Sequence, residues 1–252
     1  MGNIDQNKET LKRIDMKHKL MFLFLLFGIF NVSSQKSDTY LNALDAFFKA
    51  HVNDGKVDYK GIKANPIALT RLIEMAKNNE VSMNTPDEYQ AFWINTYNLL
   101  VIKGVVDNYP LHSPLDVDGF FDKKQYEVGG RSITLNGIEN NLLRAKFPNE
   151  PRFHFVLVCA GLGCPPIINE AYRSKTLENQ LERQTEKALN DPNFIRVEGE
   201  NIKVSQIFEW YNGDFEKAGG IVEFINKFRK SKLPSGAQIG YYPYDWTLNA
   251  LK

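Results

Sequence analysis

Residues 85–110, TPDEYQAFWINTYNLLVIKGVVDNYP, decide the fold that the sequence predicts. Thr85 is a favoured N-cap residue, Pro86 suits the first helical position, and two acidic residues follow against the helix dipole. The residues beyond them are aromatic or aliphatic on nearly every side of a helical projection. A helix with that distribution is buried on most sides. The stretch therefore predicts a long central helix over 87–108, ended by a Tyr-Pro pair.

Shorter patterns on either side of this helix predict further helices and strands. Helical spacing of apolar residues indicates helices over 39–52, 67–76, 172–189, 205–211 and 221–228, with a short helix from Asn136 to Lys146. Two β-hairpins are predicted, over 125–135 around a Gly-Gly turn and over 194–204 around residues 198–200.

Residues 152–159, RFHFVLVC, form a nearly continuous apolar run between Pro151 and Gly161. Such a run is typical of a strand buried on both faces. The predicted fold class is therefore α+β: a single compact domain with a long central buried helix, a small mainly antiparallel sheet with a buried central strand, and surrounding helices.

The composition limits the partners that the protein can have. The chain has 252 residues, 43% hydrophobic and 12% aromatic, which suits one packed core. Its 31 basic and 30 acidic residues nearly cancel. Nucleic-acid binding requires a basic face, so no nucleic-acid partner is predicted.

The N-terminal residues resemble an export signal. A basic stretch at 17–19 precedes the apolar run LMFLFLLFGIF at 20–30, and small residues before Gln35 suit cleavage. We expect residues 1–34 to be a signal segment in which the export signal itself starts at Met16. The mature domain would cover residues 35–252 and be periplasmic or secreted, with no stable membrane span. The alternative is an uncleaved anchor helix, although about 20 apolar residues are needed to span a bilayer.

Cys164 is the candidate nucleophile of the predicted site. It follows the predicted strand in the loop CAGLGCPP, where Gly161 and Gly163 allow sharp bends and offer amide groups to a developing oxyanion. Pro165 disfavours helical geometry at Cys164, so we expect a neighbouring base rather than a helix dipole to activate the thiol. A disulfide between Cys159 and Cys164 is the competing interpretation.

His154 and Glu139 are the candidate partners of that thiol. His154 could act as the base, but on a strand it would lie some 16 Å from Cys159, so the loop would have to fold back; a buried structural histidine is the alternative. Glu139 could orient His154, or it could cap a helix together with Asn136. The spacing of His154 and Cys159 fits no standard zinc pattern, and no metal or cofactor is predicted.

Polar and aromatic residues elsewhere are candidates for binding a substrate. Asn95 and Asn98 share one side of the central helix near Trp93, and they could either support a loop or line a pocket. Tyr244, Asp245 and Trp246 could rim the same cleft. No residue indicates which small molecule, peptide or glycan would bind.

Several of these segments together resemble the domain of unknown function 547 (DUF547) family. The matching segments are 91–98 (AFWINTYN), 134–139 (TLNGIE), 152–159 (RFHFVLVC), 163–166 (GCPP) and 244–249 (YDWTLN). The resemblance implies His, Cys and Glu at the positions of His154, Cys164 and Glu139. Relatives usually carry a further histidine where this chain has Asn140, so a catalytic role of that histidine would be impaired here.

Two functions follow as hypotheses. The first is a thiol-dependent hydrolase or transferase for an amide or ester in the cell envelope, with Cys164 as nucleophile, His154 as base and Glu139 as orienting carboxylate. The second is a non-catalytic envelope module that binds a glycan, peptide or protein partner.

Overall fold

The computed structural model describes residues 38–199 and 201–252, and the predicted signal segment lies outside the described residues. Residues 41–252 form one compact unit. Its mixture of helices and small sheets confirms the predicted α+β class. No helix in the described part of the chain is both long enough and apolar enough to cross a bilayer.

The helices account for most of the regular structure. Residues 38–51 are helical (α1). The following helices are α2 (Tyr59–Ala64), α3 (Ile67–Lys77), α4 (Pro86–Asn108), α5 (Leu135–Gly137), α6 (Leu177–Leu189), α7 (Ile207–Trp210), α8 (Asn212–Lys217) and α9 (Ile221–Phe228). Helix α5 continues directly into a π-helical segment, Ile138–Arg144. Short 3-10 helices cover Pro114–Asp116, Pro151–Phe155 and Ser174–Thr176.

Helix α4 is the predicted central helix, and it is buried almost throughout. Tyr89 to Ile102 are all buried, and Trp93, Ile94 and Leu99 are at most 1% exposed. The helix packs against α2, α3, α5 and the π-helical segment. It therefore forms the scaffold from which the surrounding loops are positioned.

Three small sheets replace the single predicted sheet. Strands β1 (Val52–Asn53) and β2 (Lys56–Val57) form one antiparallel pair, and β3 (Tyr126–Val128) and β4 (Arg131–Ile133) form another. The third sheet has the order β5 (Ile195–Glu198), β6 (Asn201–Ser205) and β7 (Ile239–Tyr242). Strand β6 pairs antiparallel with β5 and parallel with β7.

Both predicted hairpins are present. Gly129 and Gly130 join β3 to β4 with positive φ angles of 59° and 71°, the conformation that a two-residue turn between twisted strands requires. The predicted helix over 172–189 begins later, at Leu177, and the predicted helix over 205–211 is only one turn long.

The predicted central strand over 152–159 is wrong. Pro151–Phe155 is a 3-10 helix, and residues 156–159 follow in a turn and an extended loop. The segment is nevertheless buried, and α4 supplies the hydrogen-bond partners that neighbouring strands would otherwise give. Asn98 donates to the Val156 carbonyl at 2.9 Å and accepts from the Val158 amide at 2.9 Å. A continuous apolar run indicates that a segment is buried, but it does not show whether that segment is a strand or irregular.

An aromatic core holds the C-terminal half of the domain together. Phe155 packs with aromatic rings from the third sheet and from α7–α9, and the members of this cluster include Phe194, Phe208, Phe215 and Phe224. This packing brings α7 and α8 alongside the 3-10 helix that carries His154.

Candidate functional site

A cavity of about 60 Å³ lies where the 3-10 helix, the glycine-rich loop and the C-terminal residues meet. Its walls contain Tyr97, Glu139, His154, Leu157, Cys159, Cys164, Ile207, Trp210, Tyr211, Tyr244 and Trp246. The three predicted catalytic residues therefore share one cavity, together with two of the predicted substrate-binding residues. The histidine reaches it because residues 152–159 are not an extended strand.

The two cysteines are free thiols held by a common tyrosine. Cys159 and Cys164 are half-buried and form no disulfide. The Tyr244 hydroxyl lies 2.9 Å from the sulfur of Cys159 and 2.9 Å from the sulfur of Cys164. The Cys159 amide also donates to Cys164 Sγ at 3.0 Å. The disulfide considered from the sequence is therefore not formed in this structure.

This arrangement separates the acidities of the two thiols. Burial raises the pKa of Cys164, but hydrogen bonds from the Cys159 thiol, the Tyr244 hydroxyl and nearby amides outweigh it and lower that pKa below its ordinary value. Burial and the adjacent Cys164 raise the pKa of Cys159. Cys164 is thus the thiol that ionises first, and the donors that favour its thiolate are neutral groups rather than the neighbouring base that we expected.

The glycine-rich loop is shaped by the close approach of the C-terminal residues. The Gly163 amide donates to the Asp245 carbonyl at 2.8 Å, and a Cβ atom at Gly163 would lie 2.9 Å from the Asp245 nitrogen. Gly163 therefore has no free amide for an oxyanion. The Gly161 amide, in contrast, faces the cysteine sulfurs and helps to lower the pKa of Cys164. The sharp bend falls on Ala160, whose φ is 65°.

His154 is held by a carboxylate, but the carboxylate is not Glu139. Its Nε2 donates to Asp214 Oδ2 at 3.0 Å, and its ring stacks on Tyr211 with the centroids 3.9 Å apart. The side chain is only 3% exposed. Within the described residues no hydrogen bond joins His154 to Cys164, so the direct thiol–imidazole contact is not formed. The Asp214 contact fixes which ring nitrogen carries hydrogen and leaves Nδ1 unprotonated in the neutral ring.

Asp214 is the centre of an ionic network behind the histidine. Its Oδ2 also accepts from Arg144 Nε at 2.7 Å, and Oδ1 lies 3.6 Å from Lys217 Nζ. The hydrogen bond from His154, with the further contribution of Arg144, holds the pKa of Asp214 well below its usual range despite partial burial. Arg144 also donates to the Asn140 side chain. The residue at the family's usual second histidine position therefore supports the arginine of this network.

Glu139 faces the cavity from a π-helical segment. The predicted cap formed with Asn136 is wrong, because Thr134 caps α5 by accepting from the Gly137 amide at 2.9 Å. Helix α5 then widens, as the i→i−5 bond from the Ala145 amide to the Asn140 carbonyl shows. Such π-helical turns are frequent at functional sites. Glu139 accepts a long hydrogen bond of 3.5 Å from the Tyr97 hydroxyl and makes none with His154.

Six of the eight predicted substrate-binding residues are not among those that line the cavity. Besides Gly161 and Gly163, they are Trp93, Asn95, Asn98 and Asp245. Trp93 is 1% exposed and packs against the guanidinium of Arg131. Asn95 and Asn98 are structural supports, since Asn95 exchanges two hydrogen bonds with the Tyr172 backbone just as Asn98 does with residues 156 and 158. The Asp245 side chain accepts from the Thr247 amide at 2.9 Å on the exposed surface.

Aromatic residues form the mouth of the cavity. Trp210, which is 46% exposed, stacks with Trp246 at 6.0 Å and contacts Tyr244 at 5.0 Å. Both distances are between ring centroids. Of the described residues, no group of three or more His, Cys, Asp and Glu side chains is placed to hold a metal ion.

The family assignment rests on residues at and around this cavity. A protein-family model described as "Protein of unknown function, DUF547" matches residues 81–189. Residues 81–189 therefore resemble the DUF547 family. The resemblance that the motifs predicted is thereby confirmed for this segment. No curated protein and no solved structure matches the chain significantly.

The DUF547 match covers part of the cavity. Glu139, His154 and Cys164 lie inside the matched residues, whereas Asp214 and Tyr244 lie beyond residue 189. We also expected the chain to resemble the family beyond residue 189, at segment 244–249, but the match does not extend that far. The DUF547 segment thus contributes the thiols and the imidazole, and the residues after it contribute the groups that hold them.

Sequence reasoning missed Asp214, Tyr211 and Trp210. The short stretch EWYNGDF at 209–215 was predicted only as the end of one helix, although it is polar and aromatic like the stretch at 244–249. That shared composition was the available signal. It could not show which carboxylate would face His154, because the two lie 60 positions apart in the chain.

Proposed function

We propose that this protein is a thiol-dependent hydrolase or transferase that acts on a small amide or ester group. Cys164 is the nucleophile, and His154, oriented by Asp214, carries protons. The observation that supports this most directly is a free Cys164 thiol with a lowered pKa in the same cavity as an imidazole held by a carboxylate.

The position of the two groups suggests how such a reaction would proceed. Since no hydrogen bond joins Cys164 to His154, the reacting carbonyl would lie between them. The Cys164 thiolate attacks the carbonyl carbon, the bond to the leaving nitrogen or oxygen breaks, and protonated His154 gives that atom its proton. Water or an amine then attacks the thioester, His154 accepts the proton, and Cys164 leaves as the thiolate.

Two neutral donors are suited to the developing negative charge. The Gly161 amide and the Tyr244 hydroxyl already stabilise negative charge on Cys164 sulfur. As the sulfur becomes covalently bound, its charge passes to the carbonyl oxygen, and these donors can follow it over a short distance. Gly163, the other glycine predicted for this role, is engaged by the Asp245 carbonyl.

Alkylation kinetics test the nucleophile. We expect iodoacetamide to modify Cys164 faster than free cysteine at pH 7, and Cys159 more slowly, because their pKa values are shifted in opposite directions. Peptide mass spectrometry separates the two sites, so Cys159 is an internal control. Equal rates at both thiols, or a Cys164 rate no higher than that of free cysteine, would contradict the proposal.

Acylation tests the reaction itself. We expect 4-nitrophenyl acetate to give a stoichiometric burst of 4-nitrophenol and an acetyl group on Cys164. Cys164→Ser should abolish both, and His154→Gln should slow deacylation. Acetylation of surface lysines without modification of Cys164 would count against a thioester mechanism.

We further propose that this chemistry takes place in the cell envelope after export. The basic and apolar stretch at 17–30 followed by small residues supports this location. Fusion of residues 1–40 to alkaline phosphatase, which is active only after export, should give activity. A fusion that begins at residue 35 is the matched control and should be inactive.

The second candidate is a non-catalytic binding module. It is favoured by the missing Cys164–His154 contact and by the exposed Trp210 beside Trp246, since exposed aromatic pairs commonly bind ligands. If Cys164→Ser retains full biological activity in cells while Trp210→Ala does not, the binding function is supported and the nucleophile is not.

A further inference from the structure

The walls of the cavity carry negative charge without a matching cation. The lining residues include Glu139 but no lysine or arginine, and Glu139 forms no ion pair with any described residue. Two basic side chains lie near His154, but both of them, Arg144 and Lys217, form ion pairs with Asp214. A carboxylate with two oxygens accepts up to about four hydrogen bonds. Glu139 accepts a long hydrogen bond of 3.5 Å from the Tyr97 hydroxyl and also interacts with the Tyr211 hydroxyl, which leaves part of that capacity unused.

Aromatic rings line the same cavity as this carboxylate. Five of the eleven lining residues are aromatic: Tyr97, Trp210, Tyr211, Tyr244 and Trp246. Aromatic faces attract cations through their quadrupole, with Trp the strongest. This wall already binds one cation, since the Arg144 guanidinium lies 4.7 Å from the centre of the Tyr211 ring, on the side of Asp214. A carboxylate together with aromatic faces is the combination that recognises an ammonium group.

We propose that the group recognised beside Cys164 is a primary alkylammonium, with Glu139 as its counter-ion and Trp210 and Trp246 against its alkyl chain. The size of the cavity supports a slender group, because about 60 Å³ gives room for about four to six water molecules. The end of a lysine side chain or a short amine fits that volume. The absence of lysine and arginine from the described lining residues disfavours carboxylates and phosphates.

This inference deepens the proposed function, on which its catalytic meaning rests, but the binding can be tested without the chemistry. In the proposed reaction the substrate would carry an amine next to the reacting carbonyl. Binding should persist in Cys164→Ser, which cannot form a thioester. If acylation fails while ammonium binding is retained, only the proposed reaction is overturned. If acylation is retained while the selectivity for ammonium is lost, only the proposed ammonium recognition is overturned.

Titration of the full-length Cys164→Ser protein provides the test, with tryptophan fluorescence as the readout. We expect n-butylammonium to bind saturably, the isosteric 1-butanol to bind about tenfold more weakly, and butyrate not to bind. Glu139→Gln, which preserves shape, should remove the preference for butylammonium over butanol. Glu182→Gln removes an exposed carboxylate of α6 and should leave the preference intact.

A second variant allows the inference to be tested even if Glu139→Gln does not fold. Trp210→Ala removes a ring that is already 46% exposed, so the fold should be retained, and butylammonium should bind several-fold more weakly. Equal binding of the amine, alcohol and carboxylate, absence of saturable amine binding, or an unchanged preference in folded Glu139→Gln would each overturn the inference.

Discussion

The sulfur side and the histidine side of the cavity are stabilised by different kinds of interaction. On the sulfur side, Cys164 accepts from neutral groups, the Tyr244 hydroxyl and the Cys159 amide. On the histidine side, His154 contacts an ionised Asp214 that is itself bound to Arg144 and Lys217. Neutral donors favour a thiolate without holding it in an ion pair, whereas the ionic network fixes the position of the imidazole. The two sides therefore should respond differently to substitution.

Asn98 should have the largest effect, because it supports the segment that joins the two sides. Asn98→Ala would leave the buried Val156 carbonyl and Val158 amide without their partners. At about 1–3 kcal/mol for each of the two unsatisfied groups, the free energy of unfolding should fall by about 2–6 kcal/mol. Urea denaturation measures this. Asn108→Ala, near the exposed end of α4, is the control, and an equal loss there would contradict a special role of Asn98.

Asp214→Asn should separate the two sides. Without the carboxylate, His154 loses its orienting charge, and hydrolysis of the acetyl–Cys164 thioester formed from 4-nitrophenyl acetate should slow by about 100-fold or more. Alkylation of Cys164 by iodoacetamide should change little, because the donors on the sulfur side remain. Asp245→Asn, on the exposed surface, should leave both rates unchanged. If both rates fell together in the Asp214 variant, the two sides would not be independent.

Tyr244→Phe makes the complementary change. Loss of the hydroxyl removes a donor to the Cys164 thiolate, so the pKa of Cys164 should rise and its alkylation at pH 7 should slow by about tenfold. The pH dependence of the iodoacetamide rate should move to higher pH. Tyr242→Phe, whose hydroxyl instead donates to the Phe194 carbonyl, should show no such movement.

The smallest effect should appear in acid stability. The folded pKa of Asp214 lies below its unfolded value of about 3.9, so its contribution to stability is present above that pH and is lost as the pH falls toward the folded pKa. The Tm of the wild type should therefore fall more between pH 5 and pH 2 than that of Asp214→Asn. Parallel curves would show that the network adds no stability.

The sequence predicted what depends on local pattern. The N-cap and proline at 85–86 located α4 to within one residue, and two glycines located the first hairpin. The loop motif identified Cys164, and the apolar run at 152–159 identified His154. Because these features depend on neighbouring residues in the chain, a single sequence is enough to predict them.

What the sequence did not reveal depends on contacts between distant segments. The run at 152–159 forms its hydrogen bonds with the Asn98 side chain, a partner that an apolar pattern does not show. The carboxylate beside His154 was taken to be Glu139 because both belong to motifs, whereas packing of α8 supplies Asp214. Choosing between two carboxylates requires the fold itself.

The position of residues 244–249 near the end of the sequence affects when the thiol becomes reactive. They border the glycine-rich loop through the Gly161–Leu248 bridge and bonds to the Ala160 and Gly163 backbone, and they contribute the tyrosine between the sulfurs. A nascent chain that has not yet reached residue 244 holds both cysteines but lacks the hydroxyl that favours ionisation. During synthesis the thiol would therefore remain comparatively inert, and its reactivity would arise only after the rest of the domain has been made.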